Sequence, residues 1–412
     1  MTKLEIVSLD HQGRGIGKID NKTIFVPNAL PTEIVDVDIA VSKKNYCEGN
    51  VNKILQKSSD RVEPICPYFS ICGGCDLLHV PYEKQIEYKN NKIENIMKRF
   101  CKANFTIKDI IPSNDFYYRN KVTYHVKDNI GFYKEKSNDL IKIDTCFLAD
   151  KKIDSVYDLI RAKANLKNIK EIVIRASYYT DDIMLVIETN GVINEKEWIN
   201  LLEDKVSSII INNKQIFKTI YGDSFMLEKL LGLSFMITND AFFQVNTLQA
   251  EKLYGKVLDY ADIKSDETVL DLYCGTGTIG IIASKYAKKV IGIEINEAAV
   301  KSANKNKELN NITNIDFYAG DTGKILSMHH YKVDTVIVDP PRAGLNEQAI
   351  KEILLVNPKK IIYVSCDPMT LARDLNILSG TYDIKELTPV DMFPNTAHVE
   401  CVVGLILREE IK

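Results

Sequence analysis

Two short stretches near the C-terminus set chemically capable residues at the ends of apolar runs. The segment IIYVSCDP closes an apolar run on Cys366, and FPNTAHVECVVGLIL opens one with Glu400. A thiolate is a nucleophile and a carboxylate a general base, so a pair at strand ends can support covalent catalysis coupled to proton removal. Each residue alone has a plainer reading. A cysteine ending a buried strand usually fills core, and a glutamate opening one usually caps it in solvent. What distinguishes Cys366 is its polar, loop-like setting between Ser365 and Asp367-Pro368.

Such a pair suits substitution at a carbon too poor in electrons to react unaided. Carbon 5 of uracil is an example. A thiolate added to carbon 6 generates an enolate that makes carbon 5 reactive, and a base must then remove the original carbon 5 proton before the cysteine can leave.

A cofactor site precedes these stretches. VLDLYCGTGTIG, beginning at Val269, is an apolar strand running into Gly275, Gly277 and Gly280, where missing side chains let a ligand approach the backbone. About 20 residues further on, Glu294 stands at the tip of the next strand, placed to accept from ribose hydroxyls. The glycine pattern alone fits a dinucleotide equally well. Asp271 decides between them, since an acid there repels a pyrophosphate and suits the cationic methionine end of S-adenosylmethionine. A third strand, TVIVDPPRAG, ends in Asp339 and two prolines, a rigid turn at the sheet edge where open α/β folds bind ligands.

Three more cysteines, Cys66, Cys72 and Cys75, crowd together in CPYFSICGGC. In a reducing compartment this spacing points to a metal, zinc or iron, more than to disulfides. Cys146, in the polar loop IDTCFLAD, is the nearest later candidate for a fourth ligand, with Cys47 and Cys101 also compatible with the spacing.

DPPRAGL, SCDP and FPNTAHVE, with Phe242-Phe-Gln-Val-Asn246 and the LDLYCGTGTIG turn, resemble the RNA uracil-C5 methyltransferase family in the same order over essentially the whole chain. The resemblance implies that Cys366 is the nucleophile and Glu400 the base. It implies that Gln244, Tyr273, Glu294, Asp321 and Asp339 contact S-adenosylmethionine. The cysteine pattern, followed by His79-Val-Pro-Tyr82 and a basic helix, resembles the ribosomal RNA branch of that family. There Cys66, Cys72, Cys75 and Cys146 would hold a [4Fe-4S] cluster of structural role. Leu78 departs from the glutamine usual before that histidine. The N-terminal segment resembles a TRAM domain, with Thr32 where a glycine is common. The transfer RNA branch in bacteria usually lacks both features, so the resemblance favours 23S ribosomal RNA as substrate over transfer RNA. A ribosome assembly factor and a nicotinamide-linked iron-sulfur oxidoreductase fit less well: the first leaves Cys366 with Glu400 unexplained, the second Asp271 with Asp339-Pro-Pro.

The elements that must position these residues fall into three parts. Residues 1–58 alternate short apolar strands with Gly, Asn and Pro turns, a small β-barrel of OB type that suits nucleic acid. Residues 59–243 mix strands with one amphipathic helix over residues 82–100, in which Tyr82, Ile86, Ile93, Met97 and Phe100 form the apolar stripe. This is an α+β domain carrying the cysteines, and its helix is free to pack on the catalytic domain. Residues 244–412 alternate strands and helices, the pattern of a Rossmann-like α/β methyltransferase domain with a parallel sheet.

At 412 residues the chain is long enough for several cores, and 45% hydrophobic with 26% charged residues is a globular composition. The start MTKLEIVSLDHQGRG has no secretory pattern, and no apolar run reaches membrane-spanning length, so a cytoplasmic protein without membrane contact is expected. A net charge of -3 gives no global signal for nucleic acid, but residues 84–108 and 151–170 are locally basic. No coiled-coil pattern is present, and a monomer is expected.

Overall fold

The computed structural model describes residues 2–239, 241–328 and 332–409. The first six strands close a small barrel in the order Lys3–Glu5, Ile34–Ser42, Tyr46–Gln56, Lys22–Val26, Gly15–Ile19, Ser8–Leu9. Alternation turns Leu4, Ile24, Val26, Val35 and Val37 into its core. Asp20 and Asn21, both at positive φ (49° and 59°), make the two-residue turn that joins Gly15–Ile19 to Lys22–Val26. Thr32 sits at φ 71°, a conformation costly for a β-branched residue, which gives the glycine usual there its physical reason. Its hydroxyl bonds Ser58 and its N–H donates to Ile6 O, which hold the turn in place.

A seven-stranded sheet follows, flanked by helices Lys151–Lys163 and Glu195–Leu202, and then the hairpin Phe225–Leu230 with Leu233–Thr238. The last sheet has eight strands in the order Ile315–Ala319, Lys289–Glu294, Thr268–Leu272, Thr335–Val338, Lys360–Ser365, Glu400–Leu407, Tyr382–Val390, Thr106–Ile107. Its first five strands are mutually parallel, and the inner ones, Thr268–Leu272, Thr335–Val338 and Lys360–Ser365, are buried on both faces, whereas the edge strand Ile315–Ala319 is half exposed. Glu400–Leu407 runs antiparallel to both neighbours.

Helix Tyr82–Phe100 packs on this sheet's core through Ile93, Ile96 and Met97, and Thr106–Ile107 adds a strand to its edge. The helix's buried stripe differs from the expected one. Gln85 and Lys89 are buried with Ile93, Ile96 and Met97, while Phe100 is exposed. Polar residues replace apolar ones there because that face meets the backbone of the loop before Glu400, which needs hydrogen-bond partners.

Candidate active site

Strand register brings the two candidate catalytic residues together. Ser365 pairs with Cys401 across antiparallel strands, so Cys366 and Glu400, one step beyond each, leave the sheet at the same edge. Asp339 follows Val338, which pairs with Tyr363 on the strand that leads to Cys366. The turn around Cys366 is fixed locally. Ser365 Oγ donates to Asp367 O, and the Asp367 carboxylate caps helix Pro368–Leu378 by accepting from Met369 N and Thr370 N.

The loop before Glu400 is held from outside its own sheet. Asn395 N donates to Gln85 Oε1, and Asn395 O accepts from the N–H groups of Asp76 and Leu77 at 2.9 and 3.0 Å. Ala397 N donates to Asp76 Oδ2 (2.8 Å), and Ala397 O accepts from Lys92 Nζ (2.7 Å). Beneath them Lys89 and Asp391, 2% and 0% exposed, form an ion pair at 2.6 Å, and Tyr82 donates to the other Asp391 oxygen. Lys89 belongs to the locally basic stretch 84–108, yet it is an internal brace.

Carboxyl groups gather at this edge. Burial pushes Glu400 up to about 8, aided by the Asp339 charge and opposed by Arg342. Burial raises Asp339 to about 6. Asp271 is raised to about 8, chiefly by burial; the Gly280 N–H, donating to Oδ2 at 2.8 Å, works against this, and the Asp339 and Glu294 charges add to it. The Cys366 thiol is pushed up to about 11 by burial and then by the Glu400 and Asp339 charges, with Arg342 again opposing.

The expected cofactor residues fall into two neighbouring groups. Glu294 accepts from Gly275 N (3.0 Å) with one oxygen and from Asn296 N (2.9 Å) with the other. Gly320 N donates to Glu294 O, which brings Asp321 alongside, and Tyr273, at φ 61°, hydrogen-bonds Thr322 beside it. The second group centres on Tyr254, fully enclosed on helix Thr247–Ala261. It hydrogen-bonds the Gln244 side chain and lies within the fields of Asp339, Asp271 and Glu400. Sequence reasoning passed over Tyr254 and Arg342. The cation directly after Asp339-Pro-Pro was a readable signal for Arg342, whereas Tyr254 had none.

Two observations bear on a ligand here. Asp271 Oδ1 is buried with no hydrogen-bond partner, and a Cβ on Gly275 (φ 54°) would meet nothing within 4 Å. By contrast, a Cβ on Gly280 would stand 2.8 Å from Asp271 Oδ2, so this glycine lets the helix approach the strand.

Cys66, Cys72, Cys75 and Cys146 line one cavity of about 660 Å³, together with Phe69 and Arg119. The charges of the other three thiols help raise Cys75, after burial. Among the described residues, however, no group of three or more His, Cys, Asp or Glu side chains is arranged to hold a metal ion. The expected metal centre is therefore present only as a cavity shared by four thiols. Cys47 and Cys101, the alternatives for the fourth position, lie in other cores.

The sequence matches the tRNA (uracil-5-)-methyltransferase family over residues 81–320 and 322–409, and the TRAM domain over residues 3–51. The chain belongs to this family. An uncharacterized RNA methyltransferase of Clostridium tetani is 37% identical over 97% of this chain and 95% of its own length. One of Listeria innocua is 36% identical over 98% and 97%. Among solved structures, the Pyrococcus abyssi tRNA (uracil-54, C5)-methyltransferase in complex with S-adenosyl-L-homocysteine is similar, with a TM-score of 0.80 and 28% identity. That match covers 98% of this chain and 100% of the other. The eight-stranded domain thus has the class I methyltransferase fold, preceded by a TRAM barrel. Among the described residues, no helix is long and apolar enough to cross a membrane.

Proposed function

We propose that this enzyme transfers a methyl group from S-adenosylmethionine to carbon 5 of a uridine in 23S ribosomal RNA, with Cys366 as nucleophile and Glu400 as base. The observation that carries the reading is the register that sets Cys366 opposite Glu400 at the edge where Asp339 also ends its strand. Bound at this edge, S-adenosylmethionine supplies an electrophilic methyl group. The residues fit its charge, because the unpartnered Asp271 Oδ1 and the clustered carboxyls favour a cation, and the open space at Gly275 leaves room for backbone contact. Gln244, Tyr273, Glu294, Asp321 and Asp339 would hold it.

Cys366 gives its proton to solvent water and forms a bond from Sγ to carbon 6 of the uracil, moving the electron pair of the 5,6 double bond toward the carbonyl. Arg342 favours the thiolate, since its charge already lowers the cost of ionising this thiol. Carbon 5 would take the methyl group that bound S-adenosylmethionine supplies, leaving S-adenosylhomocysteine. Glu400, in its ionised form, then accepts the proton from carbon 5, the double bond re-forms, and the bond to Sγ breaks, returning the cysteine.

The choice of ribosomal RNA is supported by the four-cysteine pattern, and we read its shared cavity as the seat of a [4Fe-4S] cluster on Cys66, Cys72, Cys75 and Cys146. Such a cluster, held by the four thiolates, would brace the central domain without entering the methyl transfer. A second reading, transfer RNA, is supported by the whole-chain likeness to the Pyrococcus abyssi enzyme. Mapping 5-methyluridine in both RNAs from a strain lacking the gene separates them: loss from 23S RNA alone supports the first, loss from transfer RNA alone the second.

Mechanism is tested on denaturing gels with labelled RNA. Glu400→Gln should permit addition and methyl transfer but stall elimination, so a methylated protein-RNA adduct accumulates. Cys366→Ser should form no adduct and no product, because a hydroxyl ionises far less readily than a thiol. Normal turnover by Cys366→Ser would return Cys366 to a packing role.

A further inference from the structure

The barrel's first turn reaches the catalytic cysteine. A cavity of about 320 Å³ opens at Cys366, within the roughly 300–1,000 Å³ usual for ligand sites, and His11 and Gln12 line it with Lys92, Arg342 and His398. These residues come from distant parts of the chain. Resting on the RNA-methylating reading above, we propose that His11 and Gln12 form one wall of the target-nucleotide pocket and position the single-stranded RNA segment flanking the uridine attacked by Cys366.

The turn is built to hold a fixed shape. Asp10 Oδ1 accepts from Gln12 N and Arg14 N, both at 2.8 Å, and Asp10 Oδ2 accepts from Arg14 Nε at 2.8 Å. The Arg14 guanidinium lies 4.7 Å from the centre of the Phe25 ring, tying the turn to the barrel wall. Gly13 (φ 78°) is buried, and a Cβ on it would stand 3.3 Å from both Ala397 Cβ and Leu77 Cδ2. The tip is thus docked against the loop that leads to Glu400.

With the backbone fixed in this way, His11 and Gln12 are both exposed, and neither side chain has a hydrogen-bond partner among the described residues. An imidazole and an amide offer donors and acceptors suited to base edges, while the exposed Arg342 on the same cavity offers a cation for phosphate. A base drawn out of its stack leaves its neighbours without support, and a rigid polar wall beside the nucleophile supplies it. Positioning of this kind acts on the rate of addition at carbon 6, not only on affinity.

The test uses the full-length protein and in-vitro transcripts of ribosomal and transfer RNAs carrying 5-fluorouridine, with S-adenosylmethionine present. Fluorine cannot leave as a proton, so the adduct persists and its rate of formation at saturating RNA can be read from denaturing gels. H11A/Q12A should form it about tenfold or more slowly, with S-adenosylhomocysteine binding and the melting temperature unchanged. Q12E, which changes only one charge at the surface, should slow it in the same direction. A rate within about twofold of wild type in both variants overturns the proposal. So does a loss confined to RNA affinity, which would make the turn one more phosphate contact. If the wild type forms no adduct with any transcript, the covalent reading itself fails, and that outcome is visible before any variant is compared.

Discussion

Burial sets the chemistry of Glu400 more than any single partner does. The carboxyl is 6% exposed and keeps its proton up to about pH 8, whereas in the unfolded chain it ionises near 4.5. Between those values the folded state holds the extra proton. Stability from this group is therefore fully present below pH 4.5 and lost as pH rises through 8. Glu400→Gln removes that loss. The variant should be more stable than wild type at pH 8, by on the order of a few kcal/mol, and the advantage should vanish by pH 4.5. Denaturant titrations at the two pH values check this, and an equal advantage at both would assign the effect to packing. Tyr254 bears on a different step, because its contact is with Gln244 and the carboxyl cluster. Tyr254→Phe should weaken S-adenosylhomocysteine binding by about 1 kcal/mol, roughly fivefold, while turnover at saturating cofactor stays near wild type; calorimetry and steady-state rates separate the two. The contrast between these residues shows what sequence reveals. Cys366 ends an apolar run and Glu400 opens one, which made them candidates that only the family motifs singled out, whereas Tyr254 lies within a helix whose period marks it only as core.

The helix Tyr82–Phe100 illustrates the same limit one level up. Its existence and bounds follow from apolar spacing, but Gln85 and Lys89 belong to its buried face because partners more than 300 residues away in sequence satisfy them. Burial alone would drive the Lys89 charge toward neutrality, and Asp391 at 2.6 Å opposes it. A buried pair of this kind gains little over a packed apolar pair, yet breaking it strands one charge. Lys89→Met should thus cost about 3–5 kcal/mol in denaturant titrations. It should also lower methyl turnover, since Lys89 donates to Phe393 O in the loop that leads to Glu400. K89M/D391L should recover most of the stability, because no lone charge remains. It should recover less of the activity, since the donor to Phe393 is still missing. Recovery of both together would mean that the helix acts on the loop only by keeping it folded.

At the scale of the whole molecule, changes in sequence texture divide the chain into three stretches but say nothing of where those stretches meet. Spacing and periodicity report on neighbours along the chain, and the contacts that join barrel, cysteine segment and catalytic loop link residues 10–14, 75–77 and 395–398. The central link is the adjacency of Cys75 and Asp76. Cys75 lines the cavity shared by the four thiols, while Asp76 bonds Ala397 N and Asn395 O in the loop before Glu400. A group bridging the four thiols, as proposed above, would therefore also hold that loop. If the tie is an iron-sulfur cluster, protein purified without oxygen should carry about four irons with matching sulfide. Cys146→Ser should lose that iron and melt at a lower temperature. Its amide hydrogens at Asn395 and Ala397 should exchange faster, although the substitution lies some 250 residues away in sequence. Cofactor binding should change little, because Glu294, Asp271 and Gln244 are held by other elements. Unchanged exchange in an iron-free protein would sever the coupling between the two loops. Stoichiometric zinc without iron would leave the coupling intact and replace the metal.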